Sequence, residues 1–204
     1  MEFQAWPKTP RLFKPVVITE KIDGTNAAII IEKIEPGHMV DDSKALELIV
    51  DGERYLLGAQ SRKRIITPMD DNFGFANWVA THADNLVRDL GPGRHFGEWW
   101  GSGIQRGYGL PRGQKLFSLF NVTKWEPLAG QFKTPELRIV PVLYRCEFEE
   151  FYIRRTLREL GAAGSIASYN EGVLFDNPEG IIIFHTASNS TFKFTFDDGP
   201  KGSE

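Results

Sequence analysis

The sequence has almost no cysteine and no long hydrophobic run. Its single thiol, Cys146, excludes an internal disulfide and fits a reducing compartment, and an isolated thiol of this kind reads as a packed residue, not a nucleophile. No apolar stretch approaches the roughly 20 residues that a membrane span requires. The opening MEFQAWPKTPRLFK has no apolar core flanked by basic residues, so it is not a secretion signal. Excess positive charge is also missing: Lys and Arg number 24 against 27 Asp and Glu, a formal net charge of −3. The chain as a whole is therefore no electrostatic sponge for nucleic acid, and any such binding must be local. Internal repeats and low-complexity segments are absent too. A cytoplasmic location, no membrane contact and no obligate protein partner are the expectations.

What is present suits one well-buried domain spanning residues 1–204, with 41% hydrophobic and 25% charged residues and no visible linker. Basic residues gather at Arg62-Lys63-Arg64, at Arg106 with Arg112 and Lys115, and at Arg154-Arg155 with Arg158. Taken singly, each reads as a solvated face.

Val16 to Glu20 and Ala27 to Lys33 read as strands of a hairpin turned at Asp23-Gly24, and Leu46 to Val50 with Arg54 to Gln60 as a second hairpin turned at Asp51-Gly52. Ile34 to Lys44 reads as loop. Helical spacing from Phe73 to Leu90, stopped by Gly91-Pro92, predicts one helix. Strands are expected at Arg94 to Trp100, Lys115 to Val122 and Leu137 to Tyr144, with an open glycine loop from Gly101 to Gly109. A helix from about Glu147 to Leu160, with Glu147, Glu149 and Glu150 in its first turn, should precede strands at Gly180 to Phe184 and Thr191 to Phe196. Many antiparallel strands with two long helices make an α+β fold, not a βαβ repeat.

The stretch TEKIDGTN, Thr19 to Asn26, places Lys21 between Glu20 and Asp23 at a strand end. A lone lysine there is ordinarily solvated. Other residues follow in order, however: Arg62 in SRKR, Glu98 in FGEWWG, Phe120 in LFSLFNV, Glu179 in PEGIIIFH and Lys193 in TFKFT. Order and context resemble the motifs of the covalent nucleotidyltransferase superfamily of DNA ligases, RNA ligases and capping enzymes. The EKIxGTN form, the GxGIQxxYG loop and the EGIIIFH to FKFT tail resemble most closely the ATP-dependent RNA ligases of the nick-sealing, type-2 phage kind.

That resemblance implies an antiparallel-sheet nucleotidyltransferase domain that joins 3′-hydroxyl and 5′-phosphate RNA ends, or a nick containing RNA, through a lysyl-AMP intermediate. Lys21 would attack the α-phosphorus of ATP, with Lys193 binding the α-phosphate and stabilising charge as it develops. Attack needs a neutral amine, whereas flanking carboxylates favour the ammonium. A divalent cation, magnesium or else manganese, is the expected counterweight, held by Asp23 and Glu179. Glu98 would accept from ribose hydroxyls, Arg62 would meet ribose or 5′-phosphate, Phe120 would stack on adenine, and Glu20 with its backbone would read the base edge. Asn26 and Arg62 would face nucleic acid. Phe117 is the competitor for Phe120, and Glu171 for Glu179. His185, Trp99 and Trp100 read as packing.

The family pattern is not followed throughout. Asp23 stands where histidine is common in type-2 RNA ligases, Asn121 where aspartate is usual, and Thr195 where a second lysine is usual, a role that Lys201 could supply. Only a short polar tail follows Phe196, so no carboxy-terminal accessory domain is expected. The rival readings are a DNA ligase or GTP-dependent capping-type enzyme, against which Thr25-Asn26 argues, and a non-catalytic binder of nucleic-acid ends.

Overall fold

Runs of β-branched residues become strands, and the polar, glycine-rich stretches between them become turns. The computed structural model describes residues 2–6, 8–37 and 43–197. Along the chain run β1 (Pro15–Lys21), β2 (Thr25–Ile34), β3 (Leu46–Val50), β4 (Glu53–Ser61), β5 (Ile65–Ile66), α1 (Phe75–Thr81), α2 (Ala83–Leu90), β6 (Gly93–Gly101), β7 (Lys115–Leu119) and α3 (Val122–Trp125). They are followed by β8 (Leu137–Ile139), β9 (Val142–Glu147), α4 (Glu150–Ala163), α5 (Ile166–Tyr169), β10 (Gly180–His185) and β11 (Ser190–Thr195). The chain is mixed α+β with mostly antiparallel sheets. It divides into two compact units, Ile22–Val140 and the residues up to Lys21 together with those from Pro141 onward.

In the unit Ile22–Val140 the strand order is β3-β4-β2-β6-β7-β8, with β5 paired to β4 and only β7–β8 parallel. Two-residue alternation sends Ala27, Ile29 and Ile31 of β2, Trp99 of β6, and Phe117 and Leu119 of β7 to one face. There they pack with Phe75, Trp78, Val79 and Leu86 of α1 and α2. The Phe75 ring centroid lies 5.0 Å from that of Phe117 and 5.4 Å from that of Trp99. Burying one such side chain contributes roughly 1.5–3 kcal/mol, so this shared face, more than helix propensity, holds two helices too short to persist alone. The opposite face carries Asn26, Phe96 and Glu98.

The other unit has strand order β11-β10-β1-β9, antiparallel throughout. β1 is central and buried from Val16 to Glu20. Helix α4 covers one face, packing Ile153 and Leu160 against Val16, Ile18, Ile181 and Ile183.

Several elements differ from the sequence expectation. β1 and β2 are not a hairpin, because β1 pairs with β9 and β10 whereas β2 pairs with β4 and β6. A two-residue type I′ turn needs positive φ at both central residues; Asp51 (52°) and Gly52 (83°) supply it and join β3 to β4, whereas neither Asp23 nor Gly24 does. The expected helix from Phe73 to Leu90 breaks at His82 (φ −105°, ψ 18°), one residue after Thr81 turns its hydroxyl back to the Asn77 carbonyl. β7 ends at Leu119, and Val122 begins α3. The strand expected over Leu137 to Tyr144 divides at Pro141 into β8 and β9, which pair with β7 and β1. Glu147 ends β9 instead of opening a helix, and α4 starts at Glu150. Part of the expected loop from Ile34 to Lys44 lies outside the described residues, as does Lys201.

His95 of β6 is buried, and its Nε2–H donates to the Gly91 carbonyl at 2.9 Å. Burial holds the ring's pKa below its ordinary value of 6.5, so the unfolded chain takes up the proton first. The corresponding stability is complete above the unfolded value and is lost as pH falls from there to the lower folded value. Urea denaturation at pH 7.5 and 5.0 should show lower stability at the acidic pH, with a smaller loss in His95→Gln; equal losses in both proteins would refute the assignment.

Candidate active site

Alternation along β1 sends Glu20 and Lys21 to opposite faces of their sheet. Glu20, on the α4 side, is buried: its Oε1 accepts from the Ser165 hydroxyl at 2.6 Å and its Oε2 from the Ala167 N–H at 2.8 Å. Burial pushes its carboxyl pKa upward, and those hydrogen bonds oppose the rise. Lys21 lies on the other face, opposite Gly180, which is opposite Thr195; Thr19, Ile182 and Lys193 form the next row. Directly paired residues share a face, so Lys21, Lys193 and Thr195 project from the same side of one sheet. The Lys21 ammonium is ion-paired with Oε2 of Glu179, their side chains 23% and 17% exposed. No hydrogen-bond donor of normal geometry reaches that buried oxygen. Gly180 has φ 151°, and a Cβ there would stand 2.4 Å from the Phe194 carbonyl oxygen, which is why glycine follows Glu179.

The unit Ile22–Val140 holds the rest of TEKIDGTN. The Asp23 N–H donates to the Tyr108 hydroxyl at 2.8 Å, the Gly24 N–H to Glu98 Oε1 at 3.2 Å, and Arg106 Nε–H to Asp23 Oδ2 at 3.1 Å. A Cβ on Gly24 would come within 2.5 Å of the Trp99 carbonyl oxygen. The loop from Gly101 to Gly109 thus folds back onto the turn. It does so through left-handed backbone at Gln105 (φ 44°) and Tyr108 (φ 52°), conformations that cost free energy in residues other than glycine. Tyr108 is fully buried, with its ring edge-on to Trp100 at 5.3 Å. The sequence reading had assigned no site role to Arg106 or Tyr108; the GxGIQxxYG spacing was the available signal.

The family model described as RNA ligase matches residues 14–195. The chain belongs to the RNA ligase family. No curated protein matches it. Among solved structures it is similar to a mutant Naegleria gruberi RNA ligase with ATP and Mn (16% identity, TM-score 0.53, covering 91% of this chain and 50% of that one). It is also similar to a mutant with AMP and Mn (17%, 0.54, 92% and 51%) and to the enzyme with PPi (17%, 0.52, 91% and 50%). At these identities the likeness is one of fold, and the chain spans about half the length of the solved structures it matches.

The remaining positions of this RNA ligase family member fall as follows. Asn26 pairs with Glu98 across β2 and β6, and Glu98 with Ser118 across β6 and β7, so Asn26 and Glu98 share the face away from the helices. Arg62 is exposed just beyond β4, while neighbouring Arg64 is ion-paired with Asp70. Phe117 is fully buried in the core and Phe120, past the end of β7, is 38% exposed, which leaves Phe120 as the ring of the two open to a ligand. Asn121 caps α3, accepting from the Lys124 N–H at 3.2 Å. Lys193 is exposed on β11. No group of three or more His, Cys, Asp or Glu among the described residues forms a metal cage. Asp23 and Glu179 each offer a carboxylate of the kind a hard cation prefers, Asp23 ion-paired with Arg106 and Glu179 with Lys21.

Removing the Glu20 carboxylate would strand two buried donors, each costing about 1–3 kcal/mol. Glu20→Ala should therefore lower the thermal midpoint by several degrees in the absence of nucleotide, and Glu20→Gln by less. An unchanged midpoint in Glu20→Ala would show that the carboxylate does not anchor α5.

Proposed function

We propose that the chain is the adenylating nucleotidyltransferase domain of an ATP-dependent RNA ligase. The observation that carries this reading is the half-enclosed Lys21–Glu179 pair on the same sheet face as Lys193, in a chain of the RNA ligase family. The Lys21 amine attacks the α-phosphorus of ATP, pyrophosphate leaves, and a phosphoramidate links Lys21 to AMP. AMP then passes to the 5′-phosphate of an RNA end, a 3′-hydroxyl attacks that phosphate, and AMP departs. Lys193 binds the α-phosphate, Arg62 and Glu98 hold ribose, and Phe120 stacks on adenine. Glu20 with its adjoining backbone is assigned to the base edge, with Ser165 and Ala167 fixing its carboxylate. Magnesium or manganese, for which Asp23 and Glu179 are each assigned as candidate ligands, would supply positive charge that neutralises phosphate oxygens. Asn26 and Arg62 face the RNA. The ATP, AMP, PPi and Mn of the Naegleria structures agree with this chemistry. The EKIxGTN motif supports reading the protein as one of the nick-sealing type-2 ligases. A cytoplasmic location and action without an obligate partner protein complete the proposal.

Incubation with ATP and magnesium should add one AMP to the protein, located on Lys21 by peptide mapping and absent from Lys21→Ala. Glu179→Ala should slow that adenylation at least a hundredfold while melting like the wild type, and Glu171→Ala should react normally. An adduct elsewhere, or the reverse ranking of the two glutamates, would overturn the site.

Substrate class is read from four nicked duplexes that differ only in whether each side of the nick is RNA or DNA. A 2′-hydroxyl both donates and accepts hydrogen bonds and marks A-form geometry. Sealing should fall sharply when the 3′-hydroxyl strand ends in deoxynucleotides and less when the 5′-phosphate strand is DNA. Equal rates, or a preference for all-DNA nicks, would favour a DNA ligase.

A further inference from the structure

The segment from Glu2 to Phe13 precedes β1 and lies outside the family match, which begins at residue 14. Its base is tied down firmly. His185 Nε2–H donates to the Leu12 carbonyl at 2.7 Å while its Nδ1 accepts from the Ser188 N–H at 3.2 Å. The Phe148 N–H donates to the Lys14 carbonyl at 3.0 Å, and the Thr186 hydroxyl to the Pro15 carbonyl at 2.7 Å. Beyond that base the described residues form no helix or strand, and their aromatic rings stand in water: Phe3 is 94% exposed, Trp6 90% and Phe13 69%. The other tryptophans, Trp78, Trp99, Trp100 and Trp125, are all 8% exposed or less. Among the tryptophans, exposure of this kind is particular to Trp6.

The segment's charge is also particular. Lys8, Arg11 and Lys14 stand against the single carboxylate Glu2, in a chain whose formal net charge is −3. Pro7 and Pro10 fix φ and withhold backbone donors, which disfavours a helix with one apolar face that could lie in a membrane surface. Three rings and three cations interleaved along a segment with neither helix nor strand among its described residues match an unpaired nucleic-acid strand, which offers base faces and phosphates in alternation. Base–aromatic stacking is worth about 1–3 kcal/mol per base. We propose that residues 2–14 form an arm that grips an unpaired stretch of the RNA substrate, with Trp6 and Phe3 stacking on bases and Lys8, Arg11 and Lys14 meeting phosphates. This rests on the reading of the chain as an RNA ligase.

Trp6 is also the probe, being the one solvent-exposed indole. The full chain is titrated with an oligouridylate of about 12 nucleotides, within the range that single-strand sites cover. Its 5′ end is a hydroxyl, so it cannot be adenylated. The RNA should quench the exposed tryptophan emission, and Trp6→Ala should abolish that signal and weaken binding about tenfold by anisotropy of labelled RNA. The double variant Lys8→Gln, Arg11→Gln should reduce the slope of log affinity against log salt by about 1.4, at roughly 0.7 per phosphate contact on a single strand. Adenylation of Lys21 by ATP without RNA should be unchanged in these variants. Unaltered RNA affinity in Trp6→Ala overturns the proposal, as does quenching by anionic phospholipid vesicles but not by RNA. Should the wild type bind RNA through Trp6 yet fail to adenylate Lys21, the arm stands and the ligase reading falls.

Discussion

The pairing register between β1 and β10 sets the chemistry of the unit that contains Lys21. Because it puts Lys21 opposite Gly180, the residue before that glycine, Glu179, brings its carboxylate to the ammonium. A slip of one residue would turn Lys21 into the face packed against α4 and push Glu20 out of it. Glu20 guards against this slip. Its buried carboxylate fits only where the Ser165 hydroxyl and the Ala167 N–H meet it, so the residue beside the lysine acts as a pin for the whole strand. One strand end thus yields a buried, hydrogen-bonded acid and a half-enclosed ammonium from adjacent positions.

The Lys21–Glu179 pair is weak evidence for stability, since desolvating two charges offsets much of their attraction. On the proposed function its meaning would lie in placement: a reactive amine must be oriented before its target arrives, and a partly enclosed carboxylate would do this while keeping the amine accessible. The turn after Lys21 is held with the same economy by different means. Tyr108 and Glu98 accept the two N–H groups of Asp23-Gly24, and the loop that brings Tyr108 there runs through left-handed backbone at Gln105 and Tyr108. Strain in the loop is offset by the buried Tyr108 ring packing on Trp100.

Local rules made much of this legible. Period-two alternation, β-branched runs and an Asp-Gly turn identified β3, β4, β6, β10 and β11, and ordered motifs led to the RNA ligase family. Failures came where a local signal was overruled at long range. Asp23-Gly24 has the dipeptide of a hairpin, yet its φ angles are set by Glu98 and Tyr108, 74 and 85 residues away. Phe117 and Phe120 look alike in LFSLFNV; only the packing of Phe75 against Phe117 tells them apart. Arg106 read as one more solvated cation because nothing nearby in sequence reveals that its partner is Asp23.

The two ion pairs also bear on how a polyanion can approach carboxylates at all. Asp23 is balanced by Arg106 and Glu179 by Lys21, each within its own unit. On the proposed function, an unpaired carboxylate at either position would repel the incoming triphosphate, whereas a paired one presents no net charge and Lys193 is exposed as an attractive charge. On that proposal, a cation bound at either carboxylate would compete with the basic partner that carboxylate already has. Whatever weakens the hold of Glu179 on the Lys21 side chain would, on the proposed function, free that side chain to turn toward its target, so the carboxylate that orients it beforehand could also release it.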